Sequence, residues 1–257
     1  MSDRPENSFF RIWQISDTHL YADPRKEMYG IDIDASLRQV LSVARSSSEP
    51  TDLCLLTGDL VHDYSESGYR RLLEHVDGLG VPVFCLPGNH DDVELMQRIL
   101  DTDRVSCDRH LVHRQWLIVL LDTTVSDSVA GHLPEHECRR LETLLQQYPD
   151  RHVLLAMHHP PVKTTMAWLD NGLTLDNPER VYELVNIHTR IRAVIWGHAH
   201  QEYSRVEDGV LWAGCPSTMV QFKPDTVEFT LDSLPPGLRV LELGDDGSVE
   251  SSVIRVT

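Results

Sequence analysis

Basic charge is scarce in this chain: 23 Lys and Arg stand against 40 Asp and Glu, a formal net charge of −17 over 257 residues. So acidic a surface repels a phosphate backbone, and the few cations are scattered rather than gathered into a stripe, which argues against a nucleic-acid partner. No apolar run approaches the roughly 20 residues that span a bilayer, and Met1–Ser8 is polar, without the apolar h-region of a signal peptide. A soluble cytoplasmic protein with no membrane partner is expected. Cysteine is sparse as well. Cys54, Cys85, Cys107, Cys138 and Cys215 form no C-x-x-C pair, and three lie in apolar surroundings, so buried free thiols in a reducing compartment are the expectation. No Pro/Gly/Ser-rich linker, low-complexity stretch or internal repeat divides the chain, and residues 1–257 read as one domain long enough to bury a substantial core.

What is present is a series of short apolar runs, each ending on a polar group. Arg11–Ile15 precedes Ser-Asp-Thr-His, Leu53–Leu56 precedes Thr-Gly-Asp, and Val81–Leu86 precedes Pro-Gly-Asn-His-Asp. Val153–Met157 precedes His-His-Pro-Pro, and Ala193–Trp196 precedes Gly-His-Ala-His. Between the runs lie helical periods: Ser36–Arg45, Tyr69–Leu79, a stretch opened by Pro134 at the first helical position, and one opened by Asn177 as cap before Pro178. In an α/β protein with parallel strands the carboxyl ends of the strands form one rim, where segments distant in sequence converge. After Trp196 the pattern changes to the extended runs Glu202–Val206, Val210–Ala213, Val227–Leu231, Leu238–Leu243 and Val249–Val256, with Asp208-Gly209 and Asp246-Gly247 as hairpin turns. The C-terminal residues 201–257 are therefore expected to form an antiparallel sheet, within a four-layer α/β/β/α sandwich of two mixed sheets flanked by helices.

The polar groups carry the chemistry. Residues i and i+2 on a strand leave on the same side, so Asp17 with His19, and His198 with His200, can grip one ion or divide between two. Taken alone, Asp-Thr-His reads as a polar turn, whereas two histidines beside a glycine after a buried strand are hard to justify by packing. Asp59 alone reads as a cap or turn carboxylate, but its two oxygens could also bridge two cations. Asn89 offers a neutral carbonyl ligand, and His90 can project at a substrate. Of His158 and His159, His158 is favoured as ligand because it is nearer the strand, leaving His159 as a supporting or loop residue. His62, His75, His110, His113, His132, His136, His152 and His188 have no such setting and read as surface or helix residues; His62 stands out by lying three residues beyond Asp59.

Asp17-x-His19, Gly58-Asp59, Gly88-Asn89-His90-Asp91, His158 and Gly197-His198-x-His200 together resemble, in order, the motif set of the calcineurin-like metallophosphoesterases. Gln14–Leu20, Trp168-Leu169-Asp170, Pro216-Ser217-Thr218-x-x-Gln221-Phe222-Lys223-Pro224, Phe229-Thr230-Leu231-Asp232 and Pro236-Gly237 extend the resemblance to the bacterial class III 3′,5′-cyclic-AMP phosphodiesterases. That resemblance implies that Asp17, His19 and His200 hold one metal, that Asn89, His158 and His198 hold the other, and that Asp59 bridges. Imidazole and carboxylate donors without thiolate suit iron or manganese, with zinc also compatible. His19, Asn89, His90 and His200 would meet the phosphate. His90 would act as general acid, and Asp91 would either orient it or serve as a helix N-terminal carboxylate. Trp168 and Phe222 are the candidates to contact the base. The implied activity is hydrolysis of cyclic AMP to 5′-AMP by a monomer or homodimer. A broad-range phosphodiesterase or phosphomonoesterase, or a non-catalytic scaffold, are the alternatives.

Overall fold

The computed structural model describes residues 9–47 and 49–256, so Met1–Ser8, read above as carrying no signal peptide, lies outside the described residues. In chain order the elements are β1 (Phe10–Ile15), β2 (Glu27–Met28), β3 (Ile31–Asp32), α1 (Ile33–Arg45), β4 (Leu53–Thr57), α2 (Glu66–Asp77), β5 (Val83–Leu86), α3 (Val93–Leu100), β6 (Val105–Ser106) and β7 (His110–His113). There follow β8 (Trp116–Leu120), α4 (Glu135–Gln147), β9 (His152–Ala156), α5 (Ala167–Asp170), α6 (Pro178–Ile187), β10 (Ile191–Trp196), β11 (Tyr203–Glu207), β12 (Val210–Gly214), β13 (Gly237–Leu243) and β14 (Val249–Arg255).

Two six-stranded sheets result, in the orders β14-β13-β1-β4-β5-β6 and β11-β12-β10-β9-β8-β7. Their central strands are largely apolar and buried on both faces, and alternation sends successive side chains to opposite layers. In β4, Leu53 and Leu55 join Phe10, Ile12, Trp116, Ile118 and Leu154 in the core between the sheets. Its Cys54 and Leu56 face the other way, onto Leu37, Leu41, Leu72 and Val76 of α1 and α2. The second sheet does the same: Leu117, Val119, Val153 and Leu155 meet Leu141, Leu144, Val181 and Leu184 of α4 and α6. The four-layer expectation holds. No described helix is long and apolar enough to cross a membrane.

Three details differ from the sequence reading. The C-terminal strands do not make one antiparallel sheet: the β11–β12 hairpin extends the second sheet, with β12 parallel to β10, while the β13–β14 hairpin adds antiparallel to β1 in the first. Both β1 and β10 offered an unpaired edge, and covering each removes a row of exposed backbone donors and acceptors. Residues 227–231 form no strand. They belong to a loop closed by the single Phe222↔Leu231 bridge and tied to α5, where Ala167 N donates to Thr226 O at 2.8 Å. Helices α3 and α5 and the β7–β8 hairpin were not assigned from sequence; Asp92 caps α3 by accepting from Leu95 N at 3.0 Å. Smaller shifts concern caps. Pro134 precedes its helix, which starts at Glu135, and the Asn177 side chain bonds Leu133 instead of capping α6.

Strands β1, β4 and β5 run parallel, as do β8, β9 and β10, so five polar segments emerge at carboxyl ends on one edge of the sandwich. Gln14 ties the two sheets there, its side-chain amide donating to Trp196 O at 3.0 Å and Thr57 Oγ1 at 3.1 Å.

Candidate metal centre

Backbone hydrogen bonds between adjacent strand ends set the positions of the polar side chains. Asp17 N donates to Gly58 O at 3.0 Å, His19 N to Asp59 O at 2.9 Å and Gly197 N to His158 O at 3.1 Å. Asp17, His19, Asp59, His198 and His200 all have positive φ, between 42° and 62°. This corrects the strand-alternation reading. The paired residues lie beyond the strands in left-handed backbone, where the chain turns tightly over the rim, at a cost of roughly 1–3 kcal/mol each that clusters at functional sites. Glycine is needed where the loops touch: a Cβ on Gly88 would overlap the Asp59 backbone nitrogen and carboxylate. Gly88→Ala should therefore destabilise the fold by about 1–3 kcal/mol and lower bound metal. Melting temperature and metal analysis check this; unchanged values in both would refute the close packing.

The side chains then converge. His19 Nε2 lies 3.1 Å from His200 Nε2, which lies 3.4 Å from Asp17 Oδ1. His158 Nε2 lies 3.2 Å from Asn89 Oδ1 and 3.3 Å from His198 Nδ1. Asp59 stands between the two groups, with Oδ2 3.6 Å from His19 Nε2 and Oδ1 3.3 Å from His158 Nε2. The triads Asp17/His19/His200 and Asp17/Asp59/His158 each offer ligand atoms within 4.8 Å of one another. All seven residues implied as ligands are therefore brought together.

Three of the four imidazoles are oriented by a carbonyl on their far side. His158 Nδ1 donates to Thr57 O at 2.8 Å, His200 Nδ1 to Val220 O at 3.0 Å, and His198 Nε2 to Leu173 O at 2.8 Å. A carbonyl only accepts, so once the ring is neutral it is the opposite nitrogen that carries the lone pair toward the centre, as ligating histidines require. Protonation follows suit. Burial holds His19 well below the ordinary imidazole value and brings His198 down to about 4. Burial would raise Asp17 and Asp59, but the facing charge of His200 on Asp17 and of His158 on Asp59 outweighs it and keeps both carboxyls low. Low-pKa carboxylates, imidazole nitrogens turned toward the centre and no thiolate among the donors fit a pair of cations of the iron, manganese or zinc kind.

His158 differs. Burial would lower it, but the carboxylates of Asp59 and then Asp17 raise it to about 9. The stability it contributes is fully present below the ordinary value of 6.5 and is lost as pH rises through about 9. Chelated protein should show a melting temperature that falls over that window. Metal uptake near neutral pH should release a proton, read as a calorimetric heat that varies with the ionisation enthalpy of the buffer. A buffer-independent heat would rule out a protonated His158.

Three neighbours depart from the sequence reading or extend it. Asp91 does not orient the His90 ring by any hydrogen bond among the described residues: its carboxylate accepts from Gly88 N at 2.8 Å, Leu60 N and Val61 N at 3.1 Å, and Tyr69 OH at 2.8 Å. It clamps the loop after β5 to the loop after β4, burial and the Asp59 charge raising its pKa to about 6. The cap of α3 is Asp92, and Asp91 stands one residue before it. His159 is buried beside His158 and His198, the three offering ligand atoms within 4.8 Å of one another, with its Nε2 donating to Val129 O at 3.1 Å and Nδ1 facing Thr123 Oγ1 at 2.8 Å. His62, grouped above with surface residues, is half-buried in the cleft: its Nδ1 lies 3.1 Å from His19 Nδ1, and its ring stacks on His90 at 4.2 Å and 18°. Its only signal in the sequence was the three-residue spacing from Asp59.

A cleft of ≈ 160 Å³ opens above these groups, floored by His19, Asp59 and Asn89 and walled by Trp168, Phe222 and Phe229. A model of the calcineurin-like phosphoesterases matches residues 10–202. The chain belongs to that family. Among curated relatives, a 3′,5′-cyclic adenosine monophosphate phosphodiesterase CpdA of Haemophilus influenzae is 36% identical over 98% of this chain and 92% of its own length. The Escherichia coli CpdA is 36% identical over 96% and 90%, and a Nostoc 3′,5′-cyclic-nucleotide phosphodiesterase is 32% identical over 95% and 92%. A dimetal phosphatase of Danio rerio superposes with TM-score 0.66 at 15% identity, covering 97% of this chain and 100% of that one, which shows the shared fold. The phosphoesterase fold and metal-dependent hydrolase class expected from the motifs are thereby established.

Proposed function

We propose that this phosphoesterase hydrolyses 3′,5′-cyclic AMP to 5′-AMP. The observation that carries the chemistry is the Asp59 carboxylate, whose two oxygens face two separate histidine groups. Asp17, His19 and His200 would hold one ion, Asn89, His158 and His198 the other, with Asp59 shared; iron or manganese are the preferred ions and zinc is compatible. Such a pair, when bound, lowers the pKa of a water and offsets negative charge growing on the phosphoryl oxygens. The chain's own part is to aim and to move a proton. His90 Nα is held by Asp59 Oδ1 at 2.8 Å, and its ring stands at the cleft mouth beside His19 and His62. There it protonates the departing ribose 3′ oxygen as the P–O3′ bond breaks. Phe222 lies flat on His200 at 4.2 Å and 5°, so one of its faces serves to hold that imidazole.

The substrate assignment is supported by the likeness, over nearly the whole chain, to relatives named as cyclic-nucleotide phosphodiesterases. The five unpaired cysteines support a cytoplasmic setting. A broader phosphodiesterase activity has one observation in its favour. A second cavity of ≈ 540 Å³ shares Asn89, His90 and Val129 with the cleft and would admit the other substituent of a linear diester. A panel of cyclic AMP, bis(p-nitrophenyl) phosphate and a simple monoester, on metal-defined protein with and without chelator, separates the readings. Chelator-sensitive turnover led by cyclic AMP is expected. Preference for either of the other substrates overturns the assignment, and no turnover on any of them marks a scaffold.

A further inference from the structure

Outward from the centre the aromatic rings form a chain. Phe222 covers His200; Phe229 meets Phe222 edge-on at 5.3 Å and 69°; Tyr29 leans on Phe229 at 5.6 Å and 36°. Trp168 is wedged edge-on against both phenylalanines, at 5.3 Å and 5.1 Å. Trp168 and Phe222 are thus engaged by neighbours. The rings with the most exposed surface are Phe229, 43% accessible, and Tyr29, 55%, against the half-buried Trp168 and Phe222.

We propose that Tyr29 and Phe229, from two loops that meet across the cleft mouth, form the wall against which the nucleobase of the substrate stacks. The inference rests on the cyclic-nucleotide reading above and names the part of the protein that recognises the base. A phosphate at the Asp59 centre is separated from its base by one ribose, which carries the base past Phe222 and onto the outer pair of rings. The two rings are too close for a base to slide between them, since contact on both faces needs a gap of about 7 Å; the base lies along their joint face.

Tyr29 sits where neither burial nor backbone favours it. With φ of 54° followed by Gly30 at 78°, it occupies the first central position of a two-residue turn between β2 and β3, a geometry that favours Asn-Gly. An aromatic left more than half exposed in left-handed backbone breaks a local rule for little burial in return, which is the mark of a functional position. Phe229 is presented by a loop held at both ends, where Lys223 N donates to Thr230 O at 2.9 Å and Asp232 N to Gln221 O at 2.9 Å. That anchoring explains why residues 227–231 remain a loop with an apolar ring facing the cleft.

The turn chemistry supplies a variant that cannot fail merely by misfolding. Tyr29→Asn restores the residue the turn prefers, and Phe229→Leu keeps the apolar bulk while removing the ring. Each is assayed on cyclic AMP and on methyl riboside 3′,5′-cyclic phosphate, which has no base, and each is titrated calorimetrically with 5′-AMP and with ribose 5-phosphate. For cyclic AMP, kcat/KM should fall roughly 5-fold or more per variant and up to about 100-fold in the double variant, with 5′-AMP binding weakened alike. The base-free ester and ribose 5-phosphate should be unaffected, and Tyr29→Asn should melt no lower than the parent. Equal losses on both substrates, or none on either, overturn the aromatic wall while leaving the phosphodiesterase reading intact. A parent protein that hydrolyses bis(p-nitrophenyl) phosphate but not cyclic AMP overturns the substrate reading, and the wall with it.

Discussion

Asp59→Asn should abolish turnover, by about 10³-fold or more, and strip metal from the protein. The carboxylate is buried, with one oxygen toward His158 and the other toward His19. The substitution keeps the shape and one carbonyl oxygen, which can still accept from His90 N, so the loop after β5 stays anchored. What is lost is a full negative charge where two cations would be neutralised, together with the second ligating oxygen. Elemental analysis alongside steady-state kinetics reads both effects. Near-parental activity with full metal content would remove Asp59 from its bridging place.

His90→Ala should lower kcat by roughly 10²–10⁴-fold, the range of acid–base groups, with metal content close to that of the parent. His90 is half-buried at the mouth of the cleft, held through its backbone by Asp59 and through its ring by His62. The structure also gathers His19, His62 and His90 within 4.8 Å, a group of three imidazoles with no carboxylate. Metal analysis separates the two possibilities: if metal leaves with the His90 side chain, the residue is a ligand and the proton donor lies elsewhere. A leaving group that needs no protonation, such as p-nitrophenolate, should lose much less than cyclic AMP when His90 is removed, because the missing proton is then of little consequence.

The convergence of the candidate donors was legible because each follows an apolar run. A run that is buried on both faces has to be a central strand, and parallel central strands deliver their carboxyl ends to one rim. The order of Asp17, Asp59, Asn89, His158 and His198 along the chain therefore carried their convergence. Helices α1, α2, α4 and α6 were legible from periodicity. Helix α3 and the β7–β8 hairpin were not assigned, although Asp92 and the run at Trp116–Leu120 carried their signals.

Other features have no local signature. The i, i+2 spacing of Asp17/His19 and His198/His200 suggested strand alternation, whereas left-handed backbone does the positioning. Asp91 acts on Leu60, Val61 and Tyr69, contacts some 22 to 31 residues away in the chain. His62 joins the site because the loop after β4 pairs with the loop after β1, His62 N donating to Leu20 O at 2.8 Å. The division of the C-terminal hairpins between two sheets depended on which strands had edges to fill, a property of the assembled sandwich. Side-chain type and strand order thus placed the candidate donors on one rim and indicated the fold class, while the ligand set itself came from the family resemblance. Which residue supports which, and which aromatic rings remain open to a base, was decided by tertiary packing, because each ring has two faces and only neighbours distant in sequence determine which of them is covered.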